Sequence, residues 1–203
     1  MTSRSSTSSS ENSSVYRRLQ QCWSAGDIDG FEKLILDVFD VNKAIDNNRT
    51  ALWYAVYLGS EAAVSQLLKQ GADANIADTC AGWTPLHLAA RTNRFKLIPL
   101  LLKAKASVNC IDHYRQTPLI HASVYGYLEC IKALLSQSKI DINAADDKGN
   151  TALILAAGRR HSEVVHLLME NKANRLLKNH AGKTAIDCAA NQTIRSLLLE
   201  KKE

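Results

Sequence analysis

Six histidines and five cysteines are the side chains of this 203-residue chain best suited to proton transfer, nucleophilic attack or metal binding. Spacing decides how much of that chemistry is open to them. Cys22, Cys80, Cys110, Cys130 and Cys188 never form C-x-x-C, and His113, His121, His166 and His180 are scattered without a metal-ligand spacing. No thiol has an evident activating partner beside it in sequence, so a nucleophilic cysteine is not expected. The chain also lacks H-E-x-x-H, G-x-S-x-G and a glycine-rich phosphate loop. One candidate base remains, His87, which stands shortly after Thr84. These residues point to no catalytic array, no metal and no cofactor.

The elements around His87 explain it better than catalysis does. Threonines recur at Thr50, Thr84, Thr117, Thr151 and Thr184, at intervals of 34, 33, 34 and 33. Two residues after each comes an aliphatic (Leu52, Leu86, Leu119, Leu153, Ile186), and five after each an alanine (Ala55, Ala89, Ala122, Ala156, Ala189). Seventeen residues after the first four stand Leu67, Leu101, Leu134 and Leu168. His87 occupies one position of this frame, and Trp53, Ile120, Ile154 and Asp187 hold the same place elsewhere. Its expected role is therefore structural, as an imidazole bonded around the start of a helix.

Thr84-Pro85-Leu86-His87-Leu88-Ala89-Ala90 resembles the ankyrin signature in full, and Thr117-Pro118-Leu119 repeats its core. Ala72-Asp73-Ala74-Asn75, Ala106-Ser107-Val108-Asn109 and Asp141-Ile142-Asn143 resemble that family's segment after the second helix. Leu19, Cys22, Gly26, Leu34 and Asp40-Val41-Asn42 fit a degenerate first copy. The resemblance implies an all-α solenoid of helix-turn-helix units with projecting β-hairpin fingers. It divides residues 15–203 into an N-terminal cap (15–46), repeats at about 47–79, 80–112, 113–146 and 147–178, and a C-terminal cap (179–203). His161 matches the family position after the turn that ends the first helix.

Elementary chemistry accounts for the unit. Threonine caps a helix start, and Pro85 and Pro118 fit the first helical position. Gly59 and Gly126 permit the left-handed turn that ends the helix, a place taken by Asn93 in one copy and by Arg160, with mild strain, in another. Residues 78–83 are expected to form a finger. The extra residues, one in that finger and one within Ser136–Lys139, fall in loops. Pro99 is expected to bend a second helix near its start. No unit buries its apolar faces alone, so neighbours must stack.

In proteins of this family the fingers and first helices line a concave face where partners bind. The register places Arg49, Tyr57, Trp83, Arg91, Tyr114, Tyr125 and Arg159 on that face, at positions where the frame demands no particular residue. Tyrosine, tryptophan and arginine dominate interface hot spots. A band of these seven is the expected partner-binding site, with packing of Trp83 and Tyr114 on neighbouring fingers as the plainer alternative.

Composition narrows the function classes. A formal charge of +5 favours an acidic protein partner and is too small to mark a nucleic-acid binder. The expectation is a monomeric adaptor, inhibitor or assembly chaperone. Nucleotide or oligonucleotide binding by base stacking on the groove aromatics is the alternative. No apolar run approaches a membrane span, and the absence of a signal-peptide core suggests a cytoplasmic, possible nuclear, address with reduced thiols. Residues 1–14 hold eight serines and two threonines and are expected to be a disordered tail. That tail and two caps suggest a complete chain rather than a domain cut from an enzyme.

Overall fold

The computed structural model describes residues 8–38 and 40–199. Each recurring threonine starts a helix. Thr50, Thr84, Thr117, Thr151 and Thr184 have extended backbones, and each hydroxyl accepts the backbone N–H three residues on, at 3.3–3.4 Å. That bond satisfies a donor the helix start would leave free, a contribution of about 1 kcal/mol. Among the described residues the helices form six pairs: α1 (Ser8–Ala25) with α2 (Ile28–Leu34), α3 (Ala51–Leu58) with α4 (Glu61–Lys69), and α5 (Pro85–Arg91) with α6 (Leu97–Lys103). Then come α7 (Pro118–Tyr125) with α8 (Leu128–Leu135), α9 (Ala152–Gly158) with α10 (Ser162–Glu170), and α11 (Ala185–Cys188) with α12 (Gln192–Leu199).

These helices are too short to be stable alone, so side-by-side packing must hold them. The first helices α3, α5, α7, α9 and α11 pack in sequence as one layer, and α2, α4, α6, α8, α10 and α12 form the second. Ala55, Ala89, Ala122 and Ala156 are fully buried where the layers meet, and small side chains there let backbones approach. Leu67, Leu101, Leu134 and Leu168 are equally buried at the equivalent point of each second helix.

Polar ladders run beside this core. Asn42, Asn75, Asn109 and Asn143 each accept, through the side-chain oxygen, a backbone N–H of the next unit at 2.8 Å. The fifth rung is occupied by Leu176, which cannot accept, so the asparagine ladder has four rungs among the described residues. The fingers are joined by Thr79 N–H to the Asn47 carbonyl, His113 to Ala81, Asp147 to Tyr114 and His180 to Lys148, at 2.9–3.0 Å. They are turns rather than two-stranded hairpins: the only pairings among the described residues are isolated bridges, Asp46 with Arg49 and Ala145 with Thr151. Four to six residues from the leading Asp or Asn to the threonine leave no length for a ladder.

Two expectations are corrected. α1 begins at Ser8, so the tail read as disordered over 1–14 is helical from there; residues 1–7 lie outside the described residues. Serine is a poor but tolerated helix residue, and extending an existing helix needs no new nucleus. Tyr16 and Leu19 are buried farther along α1 and anchor it, and the Tyr16 hydroxyl donates to the Asp40 carbonyl at 2.7 Å. Pro99, in turn, delays its helix rather than bending it. α4, α8 and α10 begin eleven residues after their threonines, whereas α6 begins thirteen after. A proline at the third helical position lacks only a donor that would be free anyway; an earlier start would bring its ring against a carbonyl.

The left-handed positions fall as expected: Gly59 at φ 81°, Gly126 at 75°, Asn93 at 58° and Arg160 at 67°. Arg160 carries the steric penalty of a side chain in that region. Arg160→Gly is therefore expected to stabilise the protein by about 0.5–1 kcal/mol, raising the melting temperature by a few degrees in a calorimetric scan. An unchanged or lower melting temperature would show that Arg160 is not strained.

Candidate functional site

The seven sequence-predicted residues sort into two stacks and two outliers. In the first stack the Arg49 guanidinium lies 4.5 Å from the Trp53 ring centre, and Trp53 stacks on Tyr57 at 5.7 Å and 9°. Trp23, from α1, meets Tyr57 edge-on at 5.9 Å and Tyr54 at 4.9 Å. In the second, Arg91 lies over Trp83 at 4.6 Å and over Tyr125 at 5.2 Å. Tyr125 then stacks on Tyr127 at 5.6 Å and 17°. Such contacts contribute about 0.5–1 kcal/mol each and, more usefully, fix orientation. Tyr114 (60% exposed) and Arg159 (exposed) join neither stack among the described residues.

Sequence reasoning missed Trp23, Trp53 and Tyr127 as members. Tyr127 carries a signal in the register. It stands ten residues after its threonine, as Arg94 and His161 do after theirs. Those two each donate to a carbonyl of the preceding unit, Arg94 to Tyr57 at 3.2 Å and His161 to Val124 at 3.1 Å, and lie over its helix-ending glycine. The preceding unit of Tyr127 ends in Asn93 instead, and Tyr127 turns its ring to Tyr125.

Trp83 has a second attachment. Its indole N–H donates to Asp112 Oδ2 at 3.2 Å, so the plainer packing alternative holds for it alongside membership of the stack. Asp112 Oδ2 is also 2.9 Å from His121 Nε2, and Oδ1 accepts the backbone N–H groups of Tyr114 and Gln116 at 2.9 and 2.8 Å. Burial alone would raise the Asp112 carboxyl, but hydrogen bonds from His121, Gln116 and Tyr114 outweigh it and hold it below its ordinary value.

Beside this carboxylate lies the pair closest to chemistry. His87 Nδ1 accepts the Thr84 N–H at 3.2 Å, and Nε2 donates to the Gln116 carbonyl at 3.0 Å, which fixes the tautomer. Cys110 Sγ approaches that Nδ1 at 3.5 Å and Thr84 Oγ1 at 3.3 Å, a proximity invisible in sequence because the folding of the unit creates it across 23 residues. Burial sets both groups neutral. His87 is pushed down to about 4 by burial and then by His121, and Cys110 is pushed up to about 11 by burial. A thiol so raised beside an imidazole so lowered is a poor thiolate source. The pair is a polar joint inside its unit, and His87 ties it to the next finger through the Gln116 carbonyl.

Among the described residues no cluster of His, Cys, Asp and Glu is arranged to hold a metal ion, and no helix is long and apolar enough to cross a membrane.

A family model described as ankyrin repeats (three copies) matches residues 19–112, 64–146 and 141–203. The chain is 29% identical over 170 residues to the ankyrin repeat protein YahD of Escherichia coli K12, covering 81% of this chain and 84% of that protein. It is 34% identical over 145 residues to the ankyrin repeat protein nuc-2 of Neurospora crassa, covering 70% of this chain and 13% of that one. A third match, 34% over 149 residues, is to the human neurogenic locus notch homolog protein 1, covering 71% of this chain and 6% of that protein. The chain thus spans most of YahD and only a small part of the two larger relatives.

Proposed function

Because the chain belongs to the ankyrin repeat family, a general protein-interaction fold, we propose that it is a non-catalytic adaptor, inhibitor or assembly chaperone. Its partner is a protein with an acidic surface, bound along the face formed by the fingers and first helices. One observation supports this most. Arg91, Trp83, Tyr125 and Tyr127 converge from two units into one stack, with Tyr125 39% exposed and the guanidinium bonded to no acceptor among the described residues. Oriented aromatic and guanidinium groups are what a hot spot requires. Tyr57 (45% exposed) and Arg159 extend the surface to either side.

Base stacking is less favoured. One face of each ring a nucleobase would use already has a partner: Trp83 has Arg91, Tyr57 has Trp53 and Tyr125 has Tyr127. We place the protein in the cytoplasm or nucleus, a reading supported by five unpaired thiols, and take it to act as a monomer.

Trp83 is an ambiguous target for mutation because it also binds Asp112. Arg91→Glu combined with Tyr125→Ala attacks the surface alone. Affinity capture from native lysate with this double variant should lose the specifically retained protein at least ~10-fold, with melting altered by no more than a few degrees. Equal retention by wild type and variant would eliminate the groove as the binding face.

A further inference from the structure

We propose that Arg91 is a carboxylate receptor, seating one Glu or Asp side chain of the partner; this rests on the groove reading above. Several other cations of the fold are engaged. Arg49 stands 3.9 Å from Asp46 and Arg94 donates to the Tyr57 carbonyl. Lys96 and Lys132 pair with Glu61 and Glu129. Arg91 is half-buried, held at 4.6 and 5.2 Å from two ring centres, and no hydrogen bond or ion pair joins it to an acceptor among the described residues. Contact with two rings restrains the guanidinium before any ligand arrives and leaves its N–H donors without a protein acceptor among the described residues.

The ligand follows from the charge. The stack holds a single cation, its ring partners are neutral, and the Trp83 N–H is already given to Asp112. One guanidinium matches one monoanion with two oxygens, the fork-to-fork pairing of arginine with carboxylate. A phosphate dianion would need a second cation here. A side chain fits better than a chain end, because exposed groups continue on both sides of the stack, Tyr57 in the unit before and Arg159 in the units after. A segment that touches both passes over Arg91 instead of ending there.

The test uses the full chain as bait for a random heptapeptide library displayed on phage, followed by Kd measurements on free, end-capped peptides. Selected peptides should carry one fixed acidic position, and Glu→Gln at that position should weaken binding about 10-fold or more to wild type. The same change should be nearly silent against Arg91→Gln, and Arg91→Lys should restore only part of the affinity. A penalty for Glu→Gln that persists undiminished in Arg91→Gln overturns the receptor while leaving the groove in place. So do peptides weakened by Tyr125→Ala that share no acidic position, or a free C-terminal carboxylate needed in place of the internal one. Tighter binding of a phosphoserine peptide than of its Glu counterpart also overturns it, in favour of phosphate. Peptides indifferent to both Arg91→Glu and Tyr125→Ala would instead overturn the groove reading itself.

Discussion

Leu134→Asp should unfold the middle of the stack. Leu134 is fully buried in α8, which packs between α6 and α10. Truncation at such a site costs about 2–5 kcal/mol through lost apolar burial and the cavity left behind. Aspartate adds an unpaired charge among apolar side chains, which brings the loss above about 4 kcal/mol, as much as many domains have in total. In a linear stack each unit is stabilised by its neighbours, so the damage should spread to both sides. Circular dichroism should show a large loss of helix, and hydrogen exchange should show α6, α8 and α10 unprotected. Leu176→Asp is the control: that side chain is 74% exposed, and the change should move stability by less than about 0.5 kcal/mol. A melting temperature for Leu134→Asp within a few degrees of wild type would mean that this leucine does not join the units.

The contrast between Leu134 and Leu176 also shows what the sequence made legible. Leu134 could be placed because it falls seventeen residues after a threonine, as Leu67, Leu101 and Leu168 do. A fixed phase across copies reveals which face is buried. Leu176 sits where earlier units carry asparagine, and its meaning emerges only once Asn143 is seen bonding forward to residue 174. The aromatic and arginine positions were legible as sharing a face, but not as two stacks. Which ring meets which depends on side chains from adjoining units, such as Tyr127 turning towards Tyr125 where the turn ends in Asn93. Trp23 was hidden by a degenerate first unit. The start of α1 was hidden too, because serine-rich composition says nothing of a helix extended from buried residues farther along. Pro99 was read for its power to bend; the chain instead moved the helix start, which composition cannot foretell.

Asp112→Ala should destabilise the protein by about 3–5 kcal/mol, although the residue lies in a finger rather than in the apolar core. The carboxylate is buried and accepts from Trp83, His121 and the backbone N–H groups of Tyr114 and Gln116. Removing it leaves these donors without an acceptor where water reaches poorly, His121 being only 4% exposed. Asp146→Ala provides the comparison. Asp146 accepts two backbone N–H groups and the Asn150 amide of its own finger, with no side-chain partner from another unit among the described residues, and about 1–2 kcal/mol is expected. Asp112→Asn should fall between the two. Its amide oxygen can still receive the backbone donors, but an NH₂ then faces both the Trp83 indole N–H and the His121 ring, and only the imidazole can change tautomer to accept. The consequence reaches the surface. Trp83 is one wall of the Arg91 stack and Asp112 anchors it from the next finger, so partner affinity should fall in Asp112→Asn in a temperature range where the protein remains folded. Denaturant titrations of the three variants, paired with binding measured well below each midpoint, separate the two effects. If Asp112→Ala proves no more damaging than Asp146→Ala, the carboxylate is not the joint between fingers. If Asp112→Asn binds as wild type does, Trp83 is held by packing alone.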